Sequence, residues 1–154
     1  MFSDTTTRVP RHTPDALNER IREKTRLNLI RWGTTEENIE KRMKTLNREW
    51  DIERVLEANA SSLVVMGTLL GAFLNPWFHL IPFLVGGFLL QHAVQGWCPP
   101  IRLFRRLGFR THAEIASEYY ALRAIRGDFE AVAARLQDDP ASRAEEALRL
   151  AHWE

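Results

Sequence analysis

From Ala58 to Ile101 the chain has no Asp, Glu, Lys or Arg, a gap of 44 residues in a sequence that is otherwise 27% charged. A single apolar helix needs roughly 20 residues to cross a bilayer, so a gap this long accommodates two crossings and the turn between them. Cysteine is nearly absent too. Cys98 stands alone, which excludes an internal disulfide framework and fits soluble parts that face a reducing compartment. The first residues lack the apolar stretch of a cleavable signal peptide, so targeting is expected to come from the internal apolar segment. No segment alternates as a sheet strand does, no repeat or low-complexity tract occurs, and no cofactor motif, metal cluster or catalytic constellation is recognisable. The sequence therefore predicts no enzyme and no cofactor. Charge of one sign is also missing from the flanks: 12 Lys and Arg stand against 11 Asp and Glu up to Glu57, and 9 against 9 from Cys98 onward. With a formal net charge of +1, nothing marks a nucleic-acid partner.

The fold class read from these patterns is all-α: a two-span transmembrane helical hairpin flanked by amphipathic cytoplasmic helices. Residues 1–12 have no apolar period and read as a disordered or loosely attached tail, and residues 13–57 as cytoplasmic or interfacial helices. A helix is predicted over Pro14 to Trp32, with Thr13 as its cap, Pro14 in its first turn and Gly33 as a left-handed stop. Leu17, Ile21, Leu29 and Trp32 share one face of it, flanked by Arg20, Lys24 and Arg31, a pattern suited to a lipid surface or a neighbouring helix. Thr34 and Glu37 have capping-box spacing for the next helix. Its Ile39, Met43, Leu46 and Trp50 form a short heptad-like seam, for which a partner helix, the first helix and the membrane surface are all possible mates.

Residues 58–97 read as the hairpin, with spans at about Ala58–Leu74 and Phe78–Trp97 and a turn at Asn75-Pro76-Trp77. Trp77 and Trp97 would lie at the two membrane interfaces. Gly67 and Gly71 in the first span, and Gly86 and Gly87 in the second, are candidates for close helix packing within the hairpin, with dimerisation through the Gly67/Gly71 face as the alternative. Gln91, His92 and Gln95 are candidates for intramembrane polar contacts, and His92 for a proton relay or haem ligand. Arg102, Arg105, Arg106 and Arg110 follow without an acid among them. They place that end in the cytoplasm by the positive-inside rule, and an even number of crossings places the amino terminus there as well. The same arginines suit lipid phosphate. Residues 98–154 read as a cytoplasmic helical tail: a helix capped by Thr111 and Glu114 with Ile115, Tyr119, Leu122 and Ile125 on one face, a break at Gly127-Asp128, a stripe of Phe129, Val132 and Leu136, and a last helix from Asp139-Pro140 to near Trp153. Cys98, between the second span and Pro99-Pro100, is a candidate reactive thiol, its thiolate favoured by Arg102 and Arg105; a small packing residue is the plainer reading.

The run Leu89-Leu90-Gln91-His92-Ala93-Val94-Gln95-Gly96-Trp97-Cys98-Pro99-Pro100, followed by Leu103-Phe104-Arg105-Arg106-Leu107-Gly108, resembles the YgaP-like transmembrane domain family of bacterial inner-membrane proteins. The likeness covers roughly Asp51 to Phe109. It implies a pair of short membrane helices and no agreed activity. Some members carry the hairpin fused to a rhodanese sulfurtransferase domain, whereas the flanks here hold no rhodanese active-site loop and no second cysteine. The expectation is a non-enzymatic anchor or accessory protein of the bacterial inner membrane, with both termini cytoplasmic, that engages the bilayer and a protein partner or a second copy of itself. Two alternatives are a sulfane-sulfur acceptor or redox-responsive thiol at Cys98, and an oligomeric small transporter or channel.

Overall fold

A computed structural model describes residues 6–130, 132 and 139–151. The regular structure among its described residues is all helical, with no strand. In chain order the helices are α1 (Arg8–Arg11), α2 (Asp15–Trp32), α3 (Glu36–Leu46), α4 (Ile52–Phe73), a 3₁₀ turn at Pro76–His79, α5 (Leu80–Gln95), α6 (Ile101–Leu107), α7 (His112–Arg126) and α8 (Pro140–Ala151). They divide into two compact units. One consists of the described residues of Met1–Arg22 with Trp50–Ala113, and the other of those of Glu23–Glu49 with Glu114–Glu154, so the boundary falls inside α2.

The first unit is built around α4 and α5. The Asp51 carboxylate caps α4 by accepting from the Arg54 amide at 2.8 Å. After Glu53, Arg54 and Glu57 the helix carries no further charge. Asn75 accepts from the Trp77 amide at 3.0 Å, and Pro76 opens the 3₁₀ turn that leads into α5. Gly96, at φ +75°, ends α5 with its amide bonded to the His92 carbonyl. Pro99 and Pro100 follow, and α6 ends the same way at Gly108, φ +91°. The core of this unit is Val9, Ile52, Leu56, Cys98, Ile101 and Phe104, with Phe109 edge-to-face on Phe104 at 6.0 Å.

Val9 corrects the reading of residues 1–12 as a disordered tail, within its described part. Residues 8–11 form a helical turn whose Val9 is 1% exposed. One apolar residue is enough to anchor a single turn, and one residue shows no period. Met1 to Thr5 lie outside the described residues.

The second unit resolves the seam left open by the sequence. Ile39, Met43 and Leu46 of α3 cluster with Ile115, Tyr119 and Leu122 of α7, with Leu29 and Trp32 of α2 packed against them. The mate of the seam is thus a helix distant in sequence. Trp50 is not part of it: α3 stops at Leu46, and Trp50 is 46% exposed with the Arg54 guanidinium 4.5 Å over its ring. Ile125 is likewise exposed. Below this core the Glu118 carboxylate, fully buried, accepts from Arg42 Nε at 2.7 Å and from Asn28 Nδ2 at 3.4 Å.

Three caps differ from expectation. Thr13 does not cap α2; its hydroxyl donates to the Val9 carbonyl at 2.9 Å, which ties it to α1. The cap of α3 is Thr35, accepting from the Asn38 amide, while Thr34 accepts from the Asn38 side chain. Gly33 does not take a left-handed conformation. Gly127 does, at φ +87°, where α7 ends, and Asp139 caps α8 through the Ala141 and Ser142 amides. Leu136 and Trp153 lie outside the described residues.

Candidate functional site: the apolar helix pair and its capped end

Ile52–Phe73, 22 residues, and Pro76–Gln95, 20 residues, are both long and apolar enough to cross a membrane. Their exposure separates them from the core helices of a soluble fold. Over the most apolar 18 residues of each, only 22% of the first and 6% of the second are buried. Phe73, Trp77 and Phe83 are 75% exposed or more, and Leu74 and Leu90 are exposed as well. A surface this apolar far exceeds the scattered hydrophobic residues of a soluble monomer. The few hydroxyls on α4 need no outside partner: Ser61, Ser62 and Thr68 donate to the carbonyls of Glu57, Ala58 and Val64 in the preceding turn.

The glycines divide sharply. A Cβ on Gly67 would come within 2.7 Å of Pro82 Cδ and 2.8 Å of Ile81 Cβ, and one on Gly71 within 2.5 Å of the His79 ring. These two glycines are where α4 and the turn into α5 approach closely. Gly86 and Gly87 have nothing within 4 Å of where a Cβ would stand, so packing within the pair does not use them.

The polar residues at the end of α5 are arranged differently from the expected interhelical bridges. His92 is buried, and neither of its ring nitrogens has a hydrogen-bond partner among the described residues. Gln95 is exposed, and it is its backbone carbonyl that lies 3.1 Å from His12 Nε2. Arg8 Nη1 donates to the Ala93 carbonyl at 3.3 Å. Two basic side chains from the first turn thus meet the carbonyls at the carboxyl end of α5, where partial negative charge collects. Gly96 permits the approach, because a Cβ there would meet Arg8 Cβ at 2.5 Å, and its positive φ independently disfavours any other residue.

The four arginines after α5 also separate into two kinds. Arg102 and Arg106 are exposed on α6. Arg105 is 1% exposed, donating from Nη2 to Asn18 Oδ1 at 2.9 Å and from Nη1 to the Phe109 carbonyl at 3.3 Å. Asn18 in turn donates to the carbonyls of Pro10 and Thr13. Arg110 is 2% exposed, and its carbonyl accepts from the Ile52 amide at 2.8 Å, at the first turn of α4. Arg105 and Arg110 therefore hold the capped end together, which corrects their assignment to lipid phosphate. Arg8, His12 and Asn18 were missed by the sequence reading. The only available signal was the short basic stretch before Thr13.

Cys98 is 3% exposed within the core of this unit. Burial pushes its thiol above the usual cysteine range, against a smaller opposing effect from the Ile101 amide. The expected activation by arginine is thus reversed: Arg105 is engaged with Asn18 and Phe109, and apolar surroundings disfavour the thiolate. Among the described residues no group of three His, Cys, Asp or Glu is placed to hold a metal ion.

The chain matches no family model, and no solved structure matches it. It is 36% identical over 67 residues to the uncharacterized protein slr1261 of Synechocystis sp.. The match covers 44% of this chain and 37% of that protein, so the shared part is well under half the length of the relative.

Proposed function

We propose that the chain is a non-enzymatic membrane anchor of the bacterial inner membrane. In this reading α4 and α5 cross the bilayer as a two-span hairpin, and the flanking helices remain on the cytoplasmic side, where they meet the membrane surface or a protein partner. The observation that carries it is the outward exposure of Phe73, Leu74, Trp77, Phe83 and Leu90 along the stretch from Ala58 to Gln95, which has no charged residue. Each large apolar side chain moved from water to hydrocarbon contributes about 1.5–3 kcal/mol, which a bilayer supplies and water does not. Exposed Arg102 and Arg106 beyond α5 give the orientation by the positive-inside rule. The resemblance of Leu89–Gly108 to the YgaP-like transmembrane domain family supports a hairpin and brings no activity with it.

The test is alkaline carbonate extraction of native membranes combined with labelling of single cysteines placed at Asn75 and at Glu57 in a Cys98→Ser background. Retention in the pellet, with the Asn75 position labelled only from outside and the Glu57 position only from inside, is the expected result. Release into the supernatant overturns the anchor. A self-associating anchor is a second reading, favoured by the open surface at Gly86 and Gly87 on α5.

A further inference from the structure

Beside the capped end, an apolar groove of about 430 Å³ runs between α4, α5 and α6. Leu63, Val85, Phe88, Pro100 and Leu103 are among its lining residues, and Asn59 is the one lining residue with a polar side chain other than the Cys98 thiol. The volume falls within the range of ordinary small-molecule sites, about 300–1,000 Å³, but the walls offer almost nothing to a polar ligand.

The outer surface of α6 adds a second, independent observation. Ile101, Phe104 and Arg105 face inward, whereas Arg102, Leu103, Arg106 and Leu107 are exposed. Arg102 and Arg106 are one turn apart and so share a side of the helix, next to the side carrying Leu103 and Leu107. Neither arginine pairs with an acid among the described residues, in contrast to Arg22, Arg26 and Arg149, each of which does. One short helix thus presents two unneutralised guanidinium groups beside a leucine that lines the groove.

We propose that this groove and the outer side of α6 form a binding site for one anionic phospholipid. An acyl chain lies in the groove, against Leu63, Phe88 and Leu103, and the phosphate is held by Arg102 and Arg106. The proposal rests on the membrane-anchor reading, because only a hairpin in the bilayer opens the groove onto hydrocarbon. Hydrocarbon needs no hydrogen bonds, matching the near-absence of polar lining, and guanidinium groups pair strongly with phosphate oxygens. The juxtaposition of a basic pair with an apolar groove at a span's end favours a phospholipid, which joins a phosphate and a hydrocarbon chain in one molecule.

The experiment is native mass spectrometry of the full-length protein, purified in mild detergent, delipidated and titrated with dioleoyl phosphatidylglycerol or dioleoyl phosphatidylcholine. The expected result is a single retained phosphatidylglycerol and several-fold less phosphatidylcholine. Arg102→Gln with Arg106→Gln lowers phosphatidylglycerol retention roughly tenfold and leaves phosphatidylcholine unchanged. Leu63→Trp, at an already exposed position that can accept bulk, fills the groove and removes retention of both lipids. Equal retention of the two lipids by the wild type, a dimer in place of a lipid-bound monomer, or Leu63→Trp binding like wild type overturns the site. Carbonate extraction of the native membranes from which the protein is purified separates the two readings. A protein that resists extraction but retains no lipid remains an anchor without this site, and a protein that is extracted loses both.

Discussion

The two units of this chain bury similar kinds of core and expose opposite kinds of surface. In the second unit α3 and α7 close over Ile39, Met43, Leu46, Ile115, Tyr119 and Leu122, and the outer faces carry i,i+3 and i,i+4 ion pairs such as Glu23–Arg26 and Glu40–Lys44. Such exposed pairs contribute little individually, but they keep a helix surface wetted. In the first unit the outer faces of α4 and α5 carry Phe73, Trp77 and Phe83, while charge is drawn inward, to Arg105 and Arg110. The same helix-packing rules serve both. What differs is the solvent each outer surface is written for.

The comparison breaks most sharply if the second unit's buried charge is removed. Glu118→Ala leaves Arg42 without its fully buried partner, and loss of about 3–5 kcal/mol is expected, read as reduced hydrogen-exchange protection of α3 and α7. Protection unchanged from wild type would mean that the ionic contact is incidental to that core. Next in size is a charge on the apolar surface. Phe83→Arg on α5 is expected to cost about 2.5–3.5 kcal/mol of membrane insertion and to raise the carbonate-soluble fraction. Leu148→Arg, at an exposed position of α8, leaves that fraction unchanged. Equal behaviour of the two variants would erase the distinction between the surfaces.

Glycine substitutions give a smaller effect within the first unit. Gly67→Val forces a branched side chain against Ile81 Cβ, and about 1–3 kcal/mol of overpacking is expected, seen as a lower unfolding midpoint in detergent. Gly86→Val meets open space and leaves the midpoint nearly unchanged. The smallest effect is a pH dependence in the second unit. Hydrogen bonds from Arg126 first, and from Arg123, hold the Asp128 carboxyl below its ordinary 3.8, at about 2. A lowered folded-state pKa means that the contribution is complete above the ordinary value and is lost as pH falls through about 2. Hydrogen exchange at the end of α7 should therefore quicken over that acid range in the wild type and show no such step in Asp128→Asn.

Much of this fold was legible because its signals are local. The uncharged stretch, the Asn75-Pro76 turn, the break at Gly127 and the Asp139-Pro140 start each depend on a few adjacent residues, and each is found where the residue chemistry places it. Capping was legible only to within a residue, since Thr34 and Thr35 offer the same hydroxyl and backbone geometry chooses between them. The candidate site was read less well. Four arginines in one short stretch look equivalent in sequence, yet Arg105 is buried against Asn18, 87 residues away, while Arg106 beside it is exposed. Arg8 and His12 reach the end of α5 across more than 80 residues, and no periodicity reports a contact of that kind.

By itself, then, the sequence determined the helical class, the two long apolar segments and the turn that joins them, because hydropathy and turn chemistry act over one helix or less. Tertiary structure alone decided which helix completes the α3 seam, which arginines are buried, that Gly67 and Gly71 rather than Gly86 and Gly87 admit close approach, and that Cys98 is a core residue. Those outcomes depend on which distant surfaces meet. Contact between distant surfaces is fixed by the packing of the whole unit, and no run of neighbouring residues contains it.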